Sequence, residues 1–327
     1  MNSILIIAIL TSFFCTFLTM PFWIRKAKEY GLEGIDKHKT DGKKIAESGG
    51  IMVLFGFVLG VLVYIGIKTF YSGEIGIFEN VFALLCVILL ASLVGMIDDF
   101  FGWKKGLSRR SRIILVAFAA IPLMVINAGE STMMGIEFGI LYPLFLIPIG
   151  ILGATTTFNF LAGYNGLEAG QGIIILSALS IVTYLTGNSW LSIISACMVA
   201  SLLAFYIFNK YPAKIFPGDV LTYSVGALIA GIAILGNVER IAIFFFIPYF
   251  MEVGLKIRGK LKKQSFAKVN GYGDLEINPK EIYGLGHLAI YVLKKIRPGK
   301  KVYEKEVVWL INGFQIVIVI LGFLLFM

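Results

Sequence analysis

Charge is scarce in this chain. Asp, Glu, Lys and Arg make up only 15% of its 327 residues, 58% are hydrophobic, and mean hydropathy is +0.86. Soluble proteins carry about 25% charged residues. One water-soluble globule could not hide this much apolar surface, so soluble-domain classes are excluded and lipid must cover much of the chain. Cysteine is equally sparse. Cys15, Cys86 and Cys197 each lie inside a long apolar run, where a thiol behaves as a small hydrophobe, and no disulfide is expected. A basic segment ahead of the first apolar run is also missing. The positive charges Arg25, Lys26 and Lys28 follow it instead, which predicts a retained first helix with its N-terminus outside rather than a cleaved signal.

What is present is a series of apolar runs of about 17 to 25 residues. They predict helices near 2–24, 48–69, 79–97, 111–127, 138–157, 171–186, 190–208, 220–236, 239–256 and 306–326, an all-α integral membrane protein of about ten transmembrane helices. The stretch 158–170 carries Asn159, Gly163, Asn165, Gly166, Glu168 and Gly170 and reads as loop. Alternate loops are then 25–47, 98–112, 158–170, 209–219 and 256–305. They hold 27 of the 29 Lys and Arg, leaving Lys68 and Arg240 opposite. By the positive-inside rule that face is cytoplasmic. The expectation is one polytopic domain over 1–327, with both termini outside and catalytic loops in the cytoplasm. It includes a large substrate-recognition loop at 257–303, in which Tyr283 to Lys295 is amphiphilic and a short strand pair is expected. A plasma membrane or an endoplasmic reticulum membrane suits the topology. The net charge of +9 needs no nucleic acid: orientation, anionic lipid headgroups and anionic substrates account for it.

Three polar clusters abut helix ends on this face. In the first, Asp98 and Asp99 precede Trp103, Lys104, Lys105, Arg109, Arg110 and Arg112. Adjacent carboxylates repel, so the pair points to a metal or substrate cation, and the basic residues suit phosphate. Two acids can also simply end a helix at the interface. The second cluster runs from Asn159 to Gly170, with amide side chains that can ligate hard Mg²⁺ and glycines that admit close backbone approach; its plain reading is an Asn/Gly turn. In the third, Lys214 to Val220, Asp219 follows a Pro-Gly turn and by itself reads as a helix cap. Together the three meet the hard-oxygen requirement of Mg²⁺, which bridges substrate phosphates.

These clusters resemble the polyprenyl-phosphate N-acetylhexosamine-1-phosphate transferase family over nearly the whole chain. The stretch FLAGYNGLEAGQ after Asn159 is similar to the archaeal and eukaryotic UDP-GlcNAc:dolichyl-phosphate branch, and Phe216 to Asp219, Ile35-Asp36 and Ala46 to Ser48 agree. The resemblance implies a ten-helix enzyme that moves GlcNAc-1-phosphate from UDP-GlcNAc to a polyprenyl or dolichyl phosphate, releasing UMP, as a first step of lipid-linked oligosaccharide assembly for N-glycosylation. It implies Mg²⁺, with Mn²⁺ as a substitute, and allows a homodimer. By the same resemblance Asp98 and Asp99 match the family's aspartate pair and Asn159 and Asp219 its metal ligands. Glu47, Gly163, Asn165 and Phe216 match positions near the nucleotide, and Arg112 stands where the family commonly has a phosphate-contacting lysine. Thr156 and Gly102 replace family asparagines. Loop 257–303 has neither of the family's basic signatures and offers Lys262, Lys263, Lys268 and His287 for the sugar and diphosphate. Alternatives are another UDP-N-acetylhexosamine, undecaprenyl phosphate as acceptor, or, in a different class, a transporter, whose acids would lie mid-bilayer where only Glu252 is a candidate.

Overall fold

In the computed structural model, residues 3–39, 42–73, 76–101, 106–263, 266–270 and 273–327 are described. The helices are α1 (Ile6–Glu29), α2 (Gly50–Ile67), α3 (Phe78–Phe101), α4 (Arg109–Ala119), α5 (Ile121–Val125), α6 (Ile147–Phe160), α7 (Leu167–Leu185), α8 (Ser189–Asn209), α9 (Gly218–Gly236), α10 (Glu239–Phe245), α11 (Ile247–Arg258), α12 (Leu285–Ile296) and α13 (Glu304–Phe326). Wider π-helical turns extend α2 at Lys68–Ser72 and lead into α6 at Tyr142–Leu146.

Among the described residues, eight helices are long and apolar enough to cross a membrane. The segments expected at 111–127 and 239–256 are not single helices. α4 gives way to α5 at Ala120 and α10 to α11 at Phe246, each just before a proline, Pro122 and Pro248. Proline has no N–H for the ladder and crowds the carbonyl four residues back, so the helical ladder is interrupted ahead of each. Two other boundaries shift. α3 continues through Asp98 and Asp99 to Phe101, and α7 starts at Leu167, so Asn159 is helical and only 161–166 link α6 to α7.

α9 is the axis of the bundle. Sixteen of its 19 residues are buried, and α3, α6, α7, α2 and α8 pack around it. Lipid-facing side chains lie on the periphery: Leu18 and Phe22 of α1 and Trp309 and Leu324 of α13 are exposed and apolar. With no water to drive helix association in the bilayer, close backbone approach matters most. Gly95 of α3 provides it: a Cβ there would stand 2.6 Å from the carbonyl oxygen of Asp219. Gly226 does the same for α6, where a Cβ would lie 2.6 Å from Thr155 Cα.

The polar connections gather at one end. Strands β1 (Glu33–Ile35) and β2 (Lys44–Ala46) form a hairpin after α1, and Ala46 also bridges in parallel to Ile215, just before α9. In the 257–303 loop, β5 (Lys268–Val269) pairs with β6 (Leu275–Glu276) ahead of α12; the remaining pair, β3 (Thr132–Met133) with β4 (Ile136–Glu137), lies at the opposite end. Asp274 accepts from Val302 N at 2.7 Å and from Lys294 Nζ at 3.1 Å, fastening this loop to the start of α13.

Replacing Gly95 by Val should press a side chain into the backbone of α9. An overpacking cost of about 1–3 kcal/mol is expected. Thermal unfolding of the detergent-solubilised protein should show a melting point lower by several degrees. Gly313→Ala, which meets open space, should leave it unchanged.

Candidate functional site

The adjacent aspartates point to two different partners. Asp99, near the C-terminus of α3, accepts from Asp219 N at 2.7 Å and from Val220 N at 3.5 Å, the first N–H groups of α9, and its side chain also meets Ser48. A helix N-terminus leaves these donors without internal partners, and a carboxylate satisfies them while complementing the helix dipole. Gly218 makes the approach possible: its φ is +71°, and any side chain there would collide with the Asp99 carboxylate. Asp98 faces the other way. Its Oδ1 accepts from Leu107 N at 2.7 Å and its Oδ2 pairs with Arg112 Nη2 at 2.5 Å.

The Arg112 fork spans two carboxylates, with Nη1 lying 3.8 Å from Asp219 Oδ2. The Asp98 and Asp219 carboxyl groups also meet directly. Like charges at that distance need a proton or a cation between them, and one guanidinium cannot neutralise three acids. Tyr223, one turn beyond Asp219 on α9, interacts with both Arg112 and Asn159 and so sets the α6 amide beside the group. Asp98, Asp219 and Asn159 thus offer hard oxygens able to hold a divalent cation. The structure brings together Asp98, Asp99, Arg112, Asn159 and Asp219 from four helices. Sequence reading missed Tyr223, although its i+4 spacing from Asp219 puts both on one helical face.

Beside this centre lie the residues matched to the nucleotide. Phe216 N donates to Ala46 O at 2.8 Å and its own carbonyl accepts from Gly49 N at 2.9 Å, which places the half-buried Phe216 and Glu47 at adjoining strand positions. Glu47 acts electrostatically on Asp99, and burial raises its carboxyl above the usual carboxylate range. Gly163, at φ +113°, faces the Phe266 ring and donates its N–H to Glu168 Oε1 at 2.8 Å. Asn165 is buried, its amide 3.0 Å from Asp36 Oδ2 and its backbone N–H 2.6 Å from Glu304 Oε1. His38 stacks on Tyr164 with ring centroids 4.3 Å apart; burial pushes its imidazole down to about 4, so it is neutral. Nothing in the sequence had marked His38 or Glu304.

The basic loop is less uniform. Lys262 and Lys263 are exposed in the turn after α11, which Arg109 holds by donating to Leu261 O at 2.7 Å, so they stand on the Arg112 side of the site. His287 is buried at the start of α12, its Nδ1 3.1 Å from Glu281 O within its own loop. Lys268 begins β5. Glu252 accepts from Leu285 N at 2.5 Å and pairs with Lys256 at 3.4 Å; it fastens α12 to α11 rather than lining a path. Gly102, Trp103, Lys104 and Lys105 lie outside the described residues.

No pattern in the sequence had located a place for a lipid tail. An apolar cavity of about 310 Å³ runs between α6, α9 and the α10–α11 pair. Gly150, Gly153, Ala154 and Thr157 of α6 line it with Ile229 and Ile234 of α9, Met133 and Glu239, so it opens toward the end of the bundle that carries β3 and β4, and Thr157, two residues before Asn159, is its lining residue nearest in sequence to the aspartate centre.

Residues 81–237 match the sequence profile of glycosyl transferase family 4. A protein of Saccharolobus solfataricus is 34% identical over 98% of this chain and 96% of its own length; it bears, as a provisional assignment, the name UDP-N-acetylglucosamine–dolichyl-phosphate N-acetylglucosaminephosphotransferase. The Dictyostelium discoideum protein of that name is 28% identical over 72% of this chain and 67% of its own length. A phospho-N-acetylmuramoyl-pentapeptide-transferase of Halalkalibacterium halodurans is 31% identical over 80% of this chain and 86% of its own. The matched segment contains Asp98, Asp99, Arg112, Asn159 and Asp219, so the residues that converge in space are those the profile spans, and the chain belongs to glycosyl transferase family 4 as a multi-pass membrane protein.

Proposed function

We propose that the protein transfers N-acetylglucosamine-1-phosphate from UDP-GlcNAc to a membrane polyprenyl phosphate of the dolichyl type, releasing UMP, with its site on the cytoplasmic face. The observation that carries this reading is the convergence of Asp98, Arg112, Asn159 and Asp219 from four helices at one end of the membrane-crossing bundle. A soluble anionic donor and a lipid-tethered anionic acceptor can meet only at such helix ends, at headgroup level, with the acceptor's tail running along the bundle toward the apolar cavity. The names of the relatives agree, and the gathering of 27 of 29 basic residues on the loops of this face supports its sidedness.

The acceptor phosphomonoester has a second pKa of about 6 and is largely dianionic at neutral pH, so no strong base is required. Its oxygen attacks the sugar-proximal phosphorus, the bond from that phosphorus to the bridging oxygen breaks, and UMP departs. Mg²⁺ or Mn²⁺ on Asp219 and Asn159 would neutralise diphosphate charge. Arg112 offsets the repulsion between the two anions and holds Asp98 in place. Asp98, whose pairing with Arg112 an arriving phosphate can share, orients the acceptor, while Asp99 braces the N-terminus of α9. Glu47 and Phe216 flank the nucleotide side, and Lys262 and Lys263 stand where the diphosphate or sugar would lie. The likeness to the Halalkalibacterium protein favours, as a second reading, the same chemistry with undecaprenyl phosphate or another UDP-N-acetylhexosamine.

Purified protein given UDP-GlcNAc, dolichyl phosphate and Mg²⁺ should release UMP only when the acceptor is present, and EDTA should stop it. Asp219→Ala should lose at least about 10²-fold in turnover with an unchanged melting temperature; undiminished turnover would remove Asp219 from the metal. Activity with another UDP-sugar alone would reassign the donor.

Arg112→Lys keeps the charge but cannot bridge Asp98 and Asp219. Its kcat/KM should fall about 10²- to 10³-fold, and a loss under threefold would show that charge alone suffices. Gly153→Phe fills the cavity from a position where a side chain meets no neighbour. KM for a long-chain polyprenyl phosphate should rise about tenfold, the gain expected from roughly 1.4 kcal/mol of lost burial, while KM for UDP-GlcNAc stays constant. Equal KM values for long-chain and truncated acceptors in both proteins would place the tail elsewhere.

A further inference from the structure

Away from the aspartate centre, Asp36, His38 and Glu304 bring one ligand atom each to within 4.8 Å of one another, and all three side chains are buried. They come from opposite ends of the chain, the loop between β1 and β2 and the first residue of α13. Their present contacts account for the carboxylates but not for the imidazole. Asp36 accepts from the Asn165 amide at 3.0 Å, from Lys39 Nζ at 3.0 Å and from His38 N at 3.1 Å. Glu304 accepts from Asn165 N at 2.6 Å and the Asn165 amide at 3.4 Å. His38 is only 5% exposed, and neither ring nitrogen makes a well-formed hydrogen bond: the Gly163 backbone carbonyl interacts with the imidazole from nearby, and Nδ1 faces Glu304 Oε1 at 3.9 Å.

A neutral imidazole always carries one N–H and one lone pair, and stranding a buried polar group costs about 1–3 kcal/mol. Stacking on Tyr164 and the neighbouring Phe266 ring fixes the plane of His38 but satisfies neither nitrogen. Glu168 Oε2 and the Tyr164 hydroxyl, in the adjoining Asn-Gly turn, are also buried without partners. Lys39 bonds to Asp36, within a trio that carries the two carboxylates of Asp36 and Glu304. A lone pair aimed at two carboxylates of net negative charge is a donor set for a divalent metal. One imidazole with two carboxylates suits Zn²⁺ better than Mg²⁺, which avoids nitrogen ligands.

We propose that Asp36, His38 and Glu304 form a second, structural divalent-cation site of the Zn²⁺ type, which locks the N-terminal loop and α13 onto the Asn165 turn. It is separate from Asp98, Asp219 and Asn159 and does not depend on the reaction assigned to them. With the cation bound, Asn165 turns its amide to present Oδ1, and the turn that carries Gly163 is held from below.

The chain has two histidines, so an imidazole on bound metal is His38 or His287. Untagged, detergent-solubilised full-length protein is stripped with chelator, loaded with Zn²⁺ and washed; metal content, the zinc X-ray absorption spectrum and the melting temperature are then measured. The expected result is about one tightly held Zn²⁺ per chain, one imidazole in its shell, and a melting temperature raised by Zn²⁺. Asp219→Ala and His287→Gln should retain all three, and His38→Gln and Glu304→Gln should lose them. Wild-type protein that holds no Zn²⁺, or holds it without imidazole, overturns the proposal even if the variants fail to fold. So does Zn²⁺ uptake that is abolished by Asp219→Ala or by His287→Gln, or that persists in folded His38→Gln.

Discussion

The joint between the end of α3 and the beginning of α9 governs the rest of the site. Asp99 closes it by accepting the first N–H groups of α9, a charge-assisted contact of the kind that contributes about 1.5–3 kcal/mol. The joint needs two glycines: Gly95, so that the helices touch, and Gly218, so that the chain turns into α9 without covering the carboxylate. Because α9 is buried along nearly its whole length and packs on six other helices, fixing its first turn fixes Asp219 relative to α3 and α6 alike.

Charge then concentrates where the joint leaves it. Asp98 is turned toward Arg112, and Asp219 toward both, so an arginine and a largely buried group of acids share a few ångströms at one end of the bundle. Such a group is costly in isolation and becomes favourable when further charges of the right sign arrive. A metal and two phosphate groups are such charges. The two aspartates, indistinguishable as neighbours in sequence, thereby acquire separate partners: one braces the start of α9 and the other pairs with Arg112. The single embedded acid that could have argued for a transport path, Glu252, is instead committed to the N-terminus of α12.

Much was legible in the sequence because it follows from local physics. Hydrocarbon demands long apolar helices with internal hydrogen bonds, so the spans could be read within a few residues, and the sidedness of Lys and Arg was visible before any coordinate. Asp98, Asp99, Asn159 and Asp219 stood out because acids and amides at helix ends in so apolar a chain need a reason. The two segments interrupted by Pro122 and Pro248 were read as continuous because hydropathy averages over a window and a proline break does not alter it. The polar start of α7 was read as loop because its glycines and Glu168 mimic turn composition; buried packing against α8 and α13 makes them helical.

The sequence by itself therefore determined the membrane class, the approximate spans, the charged face and the residues of the aspartate centre, all of which rest on composition and short-range spacing. Only the tertiary structure decided which aspartate braces α9 and which faces Arg112, that Tyr223 stands by both Arg112 and Asn159, that an apolar cavity opens between α6, α9 and the α10–α11 pair, and that His38 meets Glu304 across 266 positions of chain. Those depend on how the helices are arranged around α9, and the arrangement is set by contacts between residues that no local pattern connects.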